Sequence, residues 1–147
     1  MREIVLDTET TGLNYMEGDR IIEVGCVELI NYVPTGKNLQ FYCSTDRKIE
    51  EGAVRIHGLT NEFLNKHPHF KRHLKNFFDF IRNDTLVIHN AEFDMGFLNN
   101  ELKLIGAKPI TNRIIDTMLL ARKKLNTRIT NLNYLCRRFS IDLSSRK

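Results

Sequence analysis

The chain has 147 residues, 41% of them hydrophobic and 27% charged, and its 22 Lys/Arg against 18 Asp/Glu give a formal net charge of +4. That length suits one domain, residues 1–147, and is too short for two cores of ordinary size, while the balance is that of a globular chain, not a disordered one. No apolar run could span a bilayer and none at the N-terminus reads as a signal peptide; three scattered cysteines (Cys26, Cys43, Cys136) without a C-x-x-C argue against a disulfide scaffold or a Cys-rich zinc site and fit a reducing cytoplasm.

Ile4-Val5-Leu6 is a short apolar run ending at Asp7 and reads as a buried strand. Residues 11–19 form a polar loop. Residues 21–30 are rich in β-formers and predict a second strand. Residues 32–36 read as a turn and residues 39–43 as a third strand, so the second and third strands make a hairpin. Thr60 is a plausible N-cap with Phe63 and Leu64 behind it. From Pro68 onward, Phe70, Leu74, Phe77, Phe78 and Ile81 have helical spacing. Leu86-Val87-Ile88 is a buried strand. Asn90 reads as the N-cap of a helix carrying Phe93, Phe97, Leu98, Leu102 and Ile105, which stops at Gly106. Arg113-Ile114-Ile115 is a short strand. Asp116 caps a helix through Lys124, and Thr130 caps another through Phe139. A hairpin meander followed by alternating elements predicts an α/β domain with a mixed sheet.

Charge is unevenly spread. Residues 102–147 carry eleven Lys/Arg and two Asp/Glu, a net of +9, whereas residues 1–101 carry eleven and sixteen, a net of −5. Two readings stay open: a solvated helical surface, or a surface for a polyanion with Arg122-Lys123-Lys124, Arg128 and Arg137-Arg138 as phosphate contacts.

The most informative stretch is Asp7-Thr8-Glu9-Thr10-Thr11-Gly12. In an extended chain, positions i and i+2 share a face, so the carboxylates of Asp7 and Glu9 converge where the strand meets its loop. Two like charges held together repel, and a hard divalent cation such as Mg²⁺ or Mn²⁺ resolves the conflict. The bland alternative is a strand with a polar end. Ile88-His89-Asn90-Ala91-Glu92-Phe93-Asp94 repeats the arrangement of strand, polar turn and helix. Asp94 there is either an ordinary acidic residue of a first helical turn or a third carboxylate facing the first strand. In Ile56-His57-Gly58-Leu59-Thr60, His57 is either a satisfied turn histidine or a contact to phosphate or sugar.

Together the D-T-E-T-T-G, I-H-G-L-T and I-H-N-A-E-F-D stretches resemble the DEDD 3′→5′ exonucleases of the histidine-bearing branch. The resemblance is greatest to the epsilon-type proofreading subunits of bacterial DNA polymerase III. It extends through R-I-I-E-V-G-C-V-E and I-I-D-T-M-L-L-A-R-K to nearly the whole chain. It implies a ribonuclease-H-like fold: a five-stranded mixed sheet flanked by helices. It also implies metal-dependent release of nucleoside 5′-monophosphates from a DNA 3′ end by two ions (Mg²⁺ or Mn²⁺), roughly 3.5–4 Å apart. Carried over residue by residue, Asp7, Glu9 and Asp94 are the catalytic metal ligands. Asp7, Glu9, Thr10, Leu13 and His57 contact substrate, Thr10 through its backbone amide. The implied partners are the DNA 3′ end and the catalytic subunit of DNA polymerase III, the latter tethered through a C-terminal tail.

The sequence departs from this pattern at its end. The family closes on H-x-x-x-x-D in a C-terminal helix, which supplies a general-base histidine and a fourth carboxylate. Residues 138–147 read R-F-S-I-D-L-S-S-R-K without that motif, and neither Asp116 nor Asp142 stands in such a context. His67, His69, His73 and His89 do not replace the missing base. Gly52 occupies a place where many relatives have Glu, with Glu51 adjacent. The expectation is a domain lacking its final C-terminal helix and an impaired enzyme, since loss of a general base typically costs about 10²- to 10⁴-fold. Two other readings remain: an inactive or split remnant that keeps nucleic-acid or polymerase binding, and an RNA-directed 3′→5′ exonuclease, because contacts to a 2′-OH are not legible here. No Gly-rich phosphate loop supports a generic nucleotide-binding domain.

Overall fold

In the computed structural model, which describes residues 1–145, the first apolar run is the middle of a longer strand, β1 (Arg2–Thr10). Arg146 and Lys147, the last two charges of the basic end, lie outside the described residues. Ile4, Leu6, Thr8 and Thr10 alternate inward along β1, and Val5, Asp7 and Glu9 take the opposite face. The strand therefore continues past Asp7, where the sequence predicted its end. The period of two persists through the threonines, and pairing with β2 (Ile21–Ile30) runs from Arg2 opposite Ile30 to Thr10 opposite Ile21.

The third strand, β3 (Val33–Tyr42), begins earlier than predicted. The turn is only Asn31 and Tyr32, both at positive φ (49° and 68°), which suits a two-residue antiparallel hairpin. Pro34 is tolerated inside the strand because β3 is the edge of the sheet. Helix α1 (Glu51–His57) has no counterpart in the sequence reading; α2 (Asn61–Leu64) starts as predicted, with Thr60 Oγ1 accepting from Phe63 N–H at 3.2 Å. The predicted helix over residues 68–81 is divided into a 3₁₀ turn, Phe70–His73, and α3 (Leu74–Ile81). His73 accounts for the break. Its ring stacks on Phe41 at 4.2 Å and its Nε2 lies 3.0 Å from the Tyr42 carbonyl, which holds the turn against β3.

β4 (Thr85–Ile88), α4 (Ala91–Leu104), β5 (Ile114–Asp116) and α5 (Thr117–Leu125) follow the predicted order. The last helix among the described residues is α6 (Leu132–Arg138). Its cap is Asn131, accepting from Tyr134 N–H, and not Thr130. Thr130 is buried and accepts from Arg122 Nε instead, which ties the start of α6 to α5.

The sheet order is β3-β2-β1-β4-β5, with β4 and β5 parallel to β1 and the hairpin antiparallel. This is the five-stranded mixed sheet that the family resemblance implies. One face packs Ile4, Leu6, Val24, Cys26 and Phe41 against Phe77 and Ile81 of α3 and Phe97, Leu98 and Leu102 of α4. Neighbouring residues Ile22 and Tyr42 point the other way, into a smaller cluster with Ile49, Leu64, Ala53 and Val54 around α1 and α2. Helices therefore cover both faces. Among the described residues no helix is long and apolar enough to cross a membrane.

Candidate active site

The parallel ladder between β1 and β4 is drawn from Glu3 to Val5, so β1 projects beyond its neighbour. The first turn of α4 fills the space beside the projecting end. There Asp94 Oδ1 accepts from both Thr8 N–H (3.0 Å) and Thr8 Oγ1 (2.7 Å). Asp94 is only 3% exposed. Burial pushes its carboxyl up to about 6; the Asp7 charge adds to the rise, and the bonds from Thr8 oppose it.

Asp7 and Glu9 lie together on the other face of β1, as their spacing requires. The pairing puts Asp7 opposite Gly25 and Glu9 opposite Glu23. Glu23 is a carboxylate that the sequence reading passed over inside an apolar strand. The available signal was its polar character in a run of β-formers. Gln40 Nε2 donates to Glu23 Oε1 at 2.8 Å. A cleft of about 490 Å³ is lined by Asp7, Glu9, Glu23, Gly25, Tyr42 and His57.

These are hard oxygen donors, and Glu9 and Glu23 pair across two neighbouring strands, an arrangement that a divalent cation would favour. The donor chemistry fits a divalent metal such as Mg²⁺ or Mn²⁺. Among the described residues no three His, Cys, Asp or Glu groups stand at the spacing of a single ion. The carboxylates surround the strand end without forming a closed shell. The cysteines offer no alternative: all three are buried and free, and burial pushes the thiols of Cys26 and Cys43 up to about 12.

The loop after β1 is organised by a buried acid. Asp19 (2% exposed) accepts from Thr11 Oγ1, from Asn14 N–H and from Arg47 Nε. A Cβ on Gly12 would stand 2.4 Å from Asp19 Oδ2, so only glycine lets the loop close on that carboxylate. A Cβ on Gly96 would similarly stand 2.6 Å from Tyr15 Cε1, and its absence lets the loop pack on α4. The loop presents Leu13, 80% exposed, and α1 presents Ile56, 78% exposed. Both line an apolar cleft of about 290 Å³ with Thr10, Gly52, His57 and Phe93. Glu50 also lines this cleft, whereas Glu51 forms an exposed ion pair with Arg55. Of the two acids that precede Gly52, Glu50 therefore lines the cleft and the adjacent Glu51 does not.

His57 is a satisfied histidine. Its Nδ1 accepts from Leu59 N–H at 3.0 Å, which leaves the proton on Nε2 to be donated to the Thr10 carbonyl at 3.2 Å. Burial pulls its pKa below the usual histidine value, in keeping with a neutral ring. Among the described residues it is the only histidine lining either cleft. His89 pairs with Thr117 and His69 lines a separate groove. Asp142 serves a local turn, accepting from Ser144 N–H and Oγ.

A family model described as exonuclease (RNase_T) matches residues 4–146. The DNA polymerase III subunit epsilon of Rickettsia felis is 44% identical over 151 residues, covering 100% of this chain and 66% of the relative. That of Salmonella typhimurium is 44% identical over 153 residues, covering 99% of this chain and 63% of the relative. The chain thus spans just under two-thirds of the length of these curated relatives. Among solved structures, exonuclease I superposes with a TM-score of 0.87 at 18% identity, over 99% of this chain and 37% of that one. Exonuclease X in complex with 5′ overhanging duplex DNA superposes with a TM-score of 0.77 at 22% identity, over 97% of this chain and 75% of that one. These two likenesses are of fold.

Proposed function

The chain belongs to the RNase_T exonuclease family, and from that premise we propose that residues 1–147 form a single domain built for 3′→5′ exonucleolysis of DNA in the manner of a polymerase III proofreading subunit. The observation that carries this reading is the placement of three acidic residues around one strand end. Asp7 and Glu9 stand on one face of β1, and Asp94 is hydrogen-bonded to Thr8 between them.

Asp7, Glu9 and Asp94 would hold the divalent ions on which the family generally depends, Mg²⁺ or Mn²⁺. When bound, such an ion polarises the scissile phosphodiester and lowers the pKa of an attacking water. The chain's own groups do the rest. Leu13 and Ile56 offer apolar surface on either side of a cleft of nucleotide size. Thr10 and His57 line the same cleft, and the bond between them fixes the wall that a terminal nucleotide would meet. A mismatched end unstacks at lower cost, so its 3′ strand enters the cleft more readily. Arg137 and Arg138 at the end of α6, with Lys123 and Lys124 of α5, supply positive charge for the phosphate backbone. The epsilon relatives support a polymerase III catalytic subunit as partner.

One observation favours a slower or purely binding role for these 147 residues taken alone. Both nitrogens of His57 are engaged, so no described histidine of the clefts has a nitrogen open to take a proton from water.

The test is a primer–template with a 3′ mismatch, incubated with Mg²⁺ or Mn²⁺. The expected result is metal-dependent release of nucleoside 5′-monophosphates, abolished by EDTA and by Asp7→Ala. Binding of the same DNA without release would support the inactive, binding-only reading. Faster digestion of a matched RNA 3′ end would move the substrate class to RNA.

A further inference from the structure

Asp116 closes β5 and opens α5, but its carboxylate serves two helices. On α5, Oδ1 accepts from Met118 N–H at 2.8 Å and Leu119 N–H at 3.4 Å. On α4, Oδ1 accepts from Asn90 N–H at 3.1 Å and Oδ2 from Ala91 N–H at 2.9 Å. The sequence predicts that Asn90 caps α4 with its own side chain. It occupies the cap position, yet its backbone is left-handed (φ 63°, ψ 56°) and its side chain makes no capping bond. The start of α4 therefore depends on an acceptor 25–26 residues away.

We propose that Asp116 is a positioning residue for Asp94. A helix start leaves several N–H groups without partners inside the helix; at α4 Asn90 is exposed and Ala91 buried, so the bond to Ala91 N–H is the one that water replaces least readily. Asp94 lies in that same first turn and reaches Thr8 from it. The load path is β5, Asp116, the Asn90–Ala91 peptides, Asp94 and Thr8 of β1. A left-handed asparagine is a sparsely favoured conformation, and the two bonds from its own and the next amide hold it there. Without them the turn relaxes, and Asp94 leaves the place beside Thr8 from which it would serve as a metal ligand. This rests on the reading of Asp94 as a metal ligand.

The test compares wild type, Asp116→Asn, Asp116→Ala and Asn131→Ala. The last removes the cap of α6, a helix that carries none of the three proposed ligands, and serves as a control for loss of a cap elsewhere. Two readouts are used: amide hydrogen exchange at Asn90, Ala91 and Thr8, and calorimetric binding of Mn²⁺ alone. Asp116→Ala is expected to lose protection at Asn90 and Ala91 and to bind Mn²⁺ about 10- to 100-fold more weakly, the usual effect of removing a group that orients a metal ligand. Asp116→Asn keeps one acceptor oxygen and is expected to fall between, and it answers the question if the alanine variant does not fold. Asn131→Ala is expected to bind Mn²⁺ as wild type does. Unchanged Mn²⁺ affinity in folded Asp116→Asn and Asp116→Ala overturns the proposal while leaving the metal site standing. Equal weakening in Asn131→Ala overturns it too, by showing a general stability effect. Wild-type protein that binds no Mn²⁺, or binds it equally well as Asp94→Asn, overturns the metal-site reading itself and the proposal with it.

Discussion

At the end of β1, the polar residues Thr8, Thr11, Asp19, Asp94 and Glu101 are buried, and each has hydrogen-bond partners. In α5, α6 and the segments beside them, Leu119, Leu120, Ile129, Leu132, Phe139 and Ile141 are exposed among arginines and lysines. The first region is over-determined. Arg20 and the Ile21 amide both bond to Glu101, and Arg47 joins Thr11 on Asp19. The second is held mainly by the Asp116 cap, the Arg122–Thr130 bond and buried Ala121, Leu135 and Cys136. Acids that are to hold a cation would have to be placed to a fraction of an ångström, and burial makes every unpaired group costly. Charges that attract a polyanion need only be near it.

Four measurements would break or sharpen this contrast. The largest effect is expected at the carboxylates. Asp7→Ala or Asp94→Ala should lower metal-dependent phosphodiester hydrolysis on the order of 10³-fold, as several kcal/mol of charge stabilisation implies. Rates within tenfold of wild type on the same primer–template would remove these residues from the chemistry.

The next effect concerns stability against pH in the metal-free protein. The Asp94 carboxyl is raised from 3.8 to about 6 in the folded state, chiefly by burial. The unfolded chain thus releases this proton first. The stabilising contribution is fully present below pH 4 and lost as pH rises through 6, by up to about 3 kcal/mol. Urea unfolding of wild type and Asp94→Asn at pH 4.5 and pH 8 isolates the term. The asparagine variant should be the more stable of the two at pH 8, and a constant difference between them at both pH values would contradict this account.

A smaller loss is expected at Glu101→Gln, which leaves Arg20 without its carboxylate. Glu101 is 1% exposed but Arg20 is partly in solvent, so about 2 kcal/mol is lost, below the full cost of breaking a buried pair. Thermal unfolding should show it while Mn²⁺ affinity of the folded protein stays unchanged. The smallest stability effect belongs to the basic end. Arg137→Ala with Arg138→Ala should change folding by less than about 0.5 kcal/mol. DNA affinity should weaken nonetheless, with the slope of log K against log salt falling by roughly 0.9 for each phosphate that is no longer neutralised. An unchanged salt slope would make this end the ordinary solvated surface.

How much of the site was legible follows from the range of the interactions. Asp7 and Glu9 share a face by the period of the strand alone. Thr60 and Asp116 read as helix caps because capping acts over two or three residues. The order of elements along the chain followed the predicted alternation, with α1 added, while the order of strands in the sheet came only from the structure. Glu23 was not legible, because facing Glu9 depends on register between strands. Helix α1 was hidden in a short segment with Gly52 near its start and little periodicity. The two roles open to His57 in the sequence differ in tautomer, which Leu59 and Thr10 set.

The sequence by itself determined which residue types could do metal and phosphate chemistry, and which of them are brought together by spacing of one strand or one helical turn. Only the tertiary structure decided that Asp94 meets Thr8 across 86 residues, that Asp116 holds the helix from which Asp94 reaches, and that Asp19 shapes the loop bearing Leu13. Local patterns encode a period and a cap. A hydrogen bond between distant segments exists only once the whole core has closed around both of its ends.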